Sequence, residues 1–129
     1  MRWFNANPPK GPWDEDIPSP LGDIEAARRI REICDAASPS AETVSAGGPQ
    51  TNASKREAER YKRAAKTAME IAIKISDNLL RDSAVCQIVF LCVKANDLKT
   101  AGILFRAVQA ASIRDDALKD HPKLRSAAA

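Results

Sequence analysis

A chain of 129 residues with 20 Lys and Arg against 17 Asp and Glu has room for one domain, or a small domain with tails. Its net charge of +3 is too slight to define a nucleic-acid binder by itself, and its 44% hydrophobic residues support a core without any bilayer-length apolar run of about 18 residues. One histidine and three cysteines at unpatterned spacing offer no signature of metal or redox chemistry.

Residues 1–22 hold five of the eight prolines (Pro8, Pro9, Pro12, Pro18 and Pro20) together with Trp3, Phe4 and Trp13. Proline fixes its own φ and biases the preceding residue away from helix, so this segment is predicted to be extended. No apolar stretch follows Arg2, so no secretory signal is expected. Three unpaired thiols fit a reducing compartment, and the expected location is the cytoplasm.

Apolar residues at Ile24, Ala27, Ile30, Ile33 and Cys34 form one stripe at helical spacing behind an acidic first turn, which predicts a short amphipathic helix over 23–37. Residues 38–53, rich in Ser, Ala, Gly and Pro, then read as a flexible linker.

The folded domain is expected over 54–124. Ser54 and Glu57 match a capping box, which places a helix start at Lys55. Ala58, Tyr61, Ala65, Ala68, Ala72 and Ile75 then mark one face at steps of three and four. Asp77-Asn78 interrupts the pattern, because both side chains compete for backbone hydrogen bonds and favour caps. A second helix follows over 79–95, and its middle, Ala84 to Val93, is apolar almost all round. Such a helix must be covered on most sides. Three covers are available: the 23–37 helix, the Trp3/Trp13 segment, or a second copy of the chain. Asp97 is placed to cap a third helix over 98–109, and Ser112 a last one that ends near His121-Pro122. No stretch alternates with period two, and the breaks are short. The fold class is all-α, as a small antiparallel helical bundle or stacked helical hairpins.

A shift of 33 residues superposes Leu80-Arg81-Asp82-Ser83-Ala84-Val85 on Ile113-Arg114-Asp115-Asp116-Ala117-Leu118. That period belongs to stacked helical hairpins. Over residues 88–108 the chain resembles the tetratricopeptide repeat family: Asn96-Asp97-Leu98 stands at the turn, followed by Ala101, Phe105 and Val108 at steps of four and three. Val85 and Val89 stand where the family has an aromatic residue and a glycine, and Ile113 where it has a proline. The resemblance implies a surface for a peptide or protein partner rather than catalysis.

No constellation for catalysis emerges, no metal site is expected and no cofactor is called for. His121 lies in a polar tail and reads as an exposed surface residue. Cys34, Cys86 and Cys92 fall on apolar faces, where a thiol behaves as a small core residue. Gly47-Gly48 lacks the Lys-Ser/Thr of a phosphate loop. Asp77, Asp82, Asp97, Asp115 and Asp116 sit at helix starts, where capping accounts for them.

Charge is distributed more tellingly. Residues 54–76 carry seven bases against three acids. On a helical wheel Lys55, Arg56, Arg60, Lys62, Arg63, Lys66 and Lys74 lie opposite the Ala/Tyr/Ile stripe, as a basic ridge. A solvated face is one reading, since Lys55–Glu59, Glu59–Arg63, Lys66–Glu70 and Glu70–Lys74 are all spaced for i,i+4 pairing. Docking of an acidic surface is the other. The expected function is a non-enzymatic helical interaction module, an adaptor or scaffold for a protein partner or for its own copy. Lys55, Arg56, Arg60, Lys62, Arg63 and Lys66 are its candidate partner-binding residues, and Trp3 and Trp13 of the tail are further candidate anchors. The alternative is an accessory nucleic-acid binder using the same helix, although no aromatic residue interleaves with the bases. No membrane association is expected.

Overall fold

The computed structural model describes residues 11–14 and 21–127. Among these residues there are six α-helices, one 3-10 turn and no strand: the turn Pro12–Asp14, α1 Asp23–Ala46, α2 Asn52–Ala72, α3 Asn78–Lys94, α4 Leu98–Phe105, α5 Ala111–Asp120 and α6 Leu124–Ala127. The all-α expectation holds. None of the helices is long and apolar enough to cross a membrane.

Cross-links between helix ends give the directions. Asp23, the first residue of α1, accepts from the backbone N–H groups of Ser76 and Asp77 at 2.9 Å each, just ahead of α3. Near the other end of α1, Ser40 donates to Glu57 in the first turns of α2 at 2.6 Å, and Lys94 at the end of α3 donates to Ser38 at 2.7 Å. Helices α1 and α3 therefore run the same way with α2 antiparallel to both. Helices α4 and α5 pack on α3, and α6 packs on α4 and α5.

The largest departure from expectation is α1. It does not stop at 37 but continues through Pro39 to Ala46, so the predicted linker shrinks to the few residues after it. A proline inside a helix removes one N–H and crowds the carbonyl four residues back, here that of Asp35. Both Asp35 and Pro39 are exposed, so the lost bond lies on the solvent side. The opposite face buries Ala37, Ser40 and Ala41. Packing on that face, with the Ser38 and Ser40 hydrogen bonds, overrides the local preference of Ser-Pro-Ser. Helix α1 ends where Gly47 and Gly48 adopt φ of 68° and 90°, a region that only glycine enters freely.

The start of α2 is also displaced. Thr51, not Ser54, is the N-cap: its hydroxyl accepts from Ser54 N–H at 3.0 Å and the Ser54 hydroxyl accepts from Thr51 N–H at 2.9 Å, a reciprocal box. Glu57 is thereby free for Ser40. The packed face of α2 is Tyr61, Ala64, Ala68, Ile71 and Ala72, with Ile75 just beyond the helix. Ala58 and Ala65 of the predicted stripe are only half-buried. Ala37 and Ala41 of α1 and Ala64 and Ala68 of α2 are fully buried, and small residues of this kind allow close approach of packed helices.

Cover for α3 comes from within the chain. It buries Ala84, Val85, Cys86, Ile88, Val89, Leu91 and Cys92 among α1, α2, α4 and α5. Asp77 caps it, accepting from Leu80 N–H at 2.9 Å. Its end is a left-handed turn at Asn96, φ 60°, with Asp97 N–H bonded to Cys92 O and Asn96 N–H to Val93 O, both at 2.9 Å. This is the glycine-type helix stop with Asn in the left-handed place. Asp97 then begins α4, so the Asn-Asp pair both ends one helix and starts the next.

Helix α4 is shorter than expected, stopping at Phe105. Ser112 does not cap α5, whose N-cap is Ala110 with no side-chain cap bond; Asp82 of α3 instead holds the turn that leads into it. This carboxylate, 3% exposed, accepts from the N–H groups of Gln109 and Ala110 at 3.1 and 2.9 Å. Arg114 donates to the carbonyls of Phe105 and Val108 at 3.0 and 2.8 Å, its guanidinium 4.5 Å from the Phe105 ring centre. One acid and one base thus satisfy both sides of the α4–α5 turn. Residues expected to be the end of the domain form α6, whose Leu124 is fully buried. A Cβ on Gly102 of α4 would stand 2.1 Å from the Ala127 carbonyl oxygen, so only glycine admits α6 at this distance.

Candidate interaction surface

The basic ridge divides into two parts. One edge faces the N-terminal turn. Trp13, expected as a free anchor in an extended tail, is 5% exposed and forms part of the core, beside α1 and α2. This corrects the reading of Trp13 as a partner-binding residue: its ring is used by the chain itself. The Arg60 guanidinium lies 4.9 Å from the Trp13 ring centre, where the face of the ring attracts a cation. Arg63 forms an ion pair with Asp14, and Arg60 lies 3.7 Å from Glu57. Arg60 and Arg63 are therefore clamps for the 3-10 turn. Pro12 supplies the helical φ that opens this turn, and Asp14 closes it by accepting from Gly11 N–H at 3.3 Å. Trp3 lies outside the described residues.

The rest of the ridge is left to solvent. Lys55, Arg56, Lys62 and Lys66 are exposed. None of the four pairs anticipated at i,i+4 spacing closes to an ion pair; among the described residues Asp14 pairs with Arg63 and Glu57 with Arg60. Lys55, Arg56, Lys62 and Lys66 thus stand without a closed ion pair among the described residues.

Lys62 and Lys66 also border an open groove of about 270 Å³ between α2 and α4. Ala65, Met69 and Leu104 supply its apolar lining, all three half-buried at the margin of the core. Its polar end is Tyr61, Asp97 and Thr100. The Tyr61 hydroxyl donates to Asp97 Oδ2 at 2.7 Å, and Asp97 Oδ1 accepts from Thr100 N–H at 3.3 Å. Both carboxylate oxygens are thus engaged, at a helix N-terminus that favours negative charge. Burial pushes the Tyr61 phenol well above its ordinary value, and its bonds to Cys92 and Asp97 act in the same direction. The hydroxyl is a fixed donor in this arrangement. Sequence periodicity placed Tyr61 and Ala65 on the packed face, but Thr100 and Leu104 reach the groove only through the sharp α3–α4 turn.

The remaining chemistry-bearing side chains are dispersed. Burial pushes the thiol of Cys34 up to about 12 and those of Cys86 and Cys92 up to about 11, so none is a nucleophile near neutral pH. All three are free and buried. No group of three or more His, Cys, Asp or Glu able to hold a metal ion occurs among the described residues. His121 is not the isolated surface residue expected; it is half-buried with its ring 4.5 Å from that of Phe90. Comparison with protein-family models, with curated proteins and with solved structures finds no match to this chain.

Proposed function

We propose that this chain is a non-enzymatic helical interaction module that docks an acidic protein surface on the outer edge of α2, in a cytoplasmic setting. The observation that carries this reading is the set of four exposed cations on the outward side of α2, Lys55, Lys62 and Lys66 along one edge and Arg56 beside Arg60 and Arg63, with no ion-pair partner among the described residues. Long side chains left unneutralised this close together repel one another, and a carboxylate-bearing partner relieves that repulsion. The resemblance of residues 88–108 to tetratricopeptide repeats supports the same class of activity, because it implies a peptide-presenting helical surface. Arg60 and Arg63 are removed from the docking set, since both are occupied with Trp13 and Asp14.

Fluorescence anisotropy tests the reading directly. A labelled Glu-rich peptide is titrated beside a labelled single-stranded and a duplex oligonucleotide, at about 50 and about 200 mM salt. The wild-type chain is expected to bind the peptide. The quadruple variant K55E/R56E/K62E/K66E is expected to lose at least about tenfold in affinity, or 1.4 kcal/mol. Far-UV circular dichroism of the variant is expected to be unchanged, because all four side chains are exposed and take no part in the core. Absence of peptide binding at the lower salt overturns the proposal. Tighter oligonucleotide binding with a steep salt slope overturns it in favour of nucleic-acid recognition.

A further inference from the structure

We infer that the groove between α2 and α4 is a slot for one apolar side chain of an acidic partner peptide, whose flanking carboxylates are received by Lys62 and Lys66. The inference rests on the ridge reading and specifies what that ridge selects. Three features of the groove point to this occupant. Its lining is apolar, through Ala65, Met69 and Leu104, and half-buried side chains at the core margin gain from further cover. Its volume of about 270 Å³ suits one or two side chains rather than a cofactor, whose sites begin at about 300 Å³. Its border carries Lys62 and Lys66, exposed and one helical turn apart, so that charge complementarity selects acids beside the apolar residue.

The polar end is already committed within the protein, and the Asp97 charge there keeps the ligand's carboxylates at the lysine border. Asp97 spends its two oxygens on Tyr61 and Thr100 within the protein. A basic peptide would meet the two lysines first. An acidic peptide without an apolar residue would pair with the lysines and leave the slot open. Selection therefore requires both features together: an apolar side chain and neighbouring carboxylates.

The test uses two labelled peptides of equal length and charge, Glu-Glu-Asp-Leu-Glu-Glu and Glu-Glu-Asp-Ser-Glu-Glu, titrated against the full chain. The leucine peptide is expected to bind at least about tenfold more tightly than the serine peptide. Ala65→Phe, which fills the slot, is expected to abolish that preference while retaining serine-peptide binding. Amide chemical-shift mapping on the unsubstituted chain provides a readout independent of the variant's folding. Leucine-specific shifts are expected at Ala65, Met69, Thr100 and Leu104. Equal affinity for the two peptides, or leucine-specific shifts elsewhere, overturns the slot and leaves the ridge standing. Binding of neither peptide overturns the ridge and the slot together.

Discussion

At the scale of single residues, the described structure reassigns side chains whose local setting suggested other roles. Asp82 is the clearest. It sits one turn into α3, beyond the place where an acid caps its own helix, and its carboxylate reaches across to Gln109 and Ala110. Helix α5 has Ala110 at its N-cap and no side-chain cap of its own. Removing Asp82 leaves two donors with no partner in a partly buried turn, at about 1–3 kcal/mol for each unsatisfied group. Asp82→Ala is expected to lower unfolding stability by about 2–4 kcal/mol in urea titration, with Asp82→Asn recovering part of the loss through its remaining carbonyl oxygen. A full recovery in alanine would show that water satisfies the turn. The 33-residue self-match pairs Arg81-Asp82 with Arg114-Asp115, but the two pairs do different work. Arg81 donates to Asn78 at 2.8 Å, whereas Arg114 holds the carbonyls that end α4. Asp115 is exposed where Asp82 is buried.

Among the elements, α1 shows how packing overrules local propensity. Ser38-Pro39-Ser40 reads as a stop, and the residue before a proline is biased away from helix. The segment nonetheless remains helical because its inner face buries Ala37, Ser40 and Ala41, and because Ser40 and Ser38 are tied to Glu57 and Lys94. Proline in a helix interior costs about 3 kcal/mol relative to alanine. Pro39→Ala restores an N–H to bond the Asp35 carbonyl on the exposed side. The variant is expected to gain about 1–3 kcal/mol, seen as a higher urea midpoint with an unchanged slope. Loss of stability instead would mean that the ring makes packing contacts the helix needs. The Asn96-Asp97 turn shows the opposite case. There local chemistry alone, a left-handed Asn followed by a capping Asp, sets both boundaries, and they were legible from the sequence.

For the whole molecule, Asp23 joins the start of α1 to the α2–α3 turn, two segments more than fifty residues apart in the chain. The backbone N–H groups of Ser76 and Asp77 hold its carboxyl below the usual 3.8. A depressed folded-state pKa means that the contribution is complete above the unfolded value and lost as pH falls through the folded one. The tie is therefore intact at neutral pH and released only below about pH 4. Asp23→Asn keeps one acceptor oxygen and removes the titration. Its stability, relative to wild type, is expected to be lower at pH 7, with the gap closing as pH falls below about 4 in chemical denaturation. A gap that stays constant across that range would show that the carboxylate makes no charge-dependent contribution. Ile24, predicted for the inner stripe, is 79% exposed beside this junction, since the helix presents Ala26, Ile30 and Ile33 to the core instead.

Much of this fold is written in local terms. Apolar spacing identifies helices, Asp77 and Asp97 mark starts, and the all-round apolar run of α3 foretells its central place, because these properties depend on neighbours within about one or two helical turns. The ridge on α2 is likewise visible as a charge pattern. What the sequence leaves undecided is every feature that joins distant residues: whether α1 survives its proline, which cap serves α5, where Trp13 packs, and which bases remain unpaired. Only tertiary structure decides these, since each depends on the burial and hydrogen bonding supplied by another helix. The groove belongs to this second kind, lined from both α2 and α4, with Met69 and Leu104 half-buried beside Lys62 and Lys66.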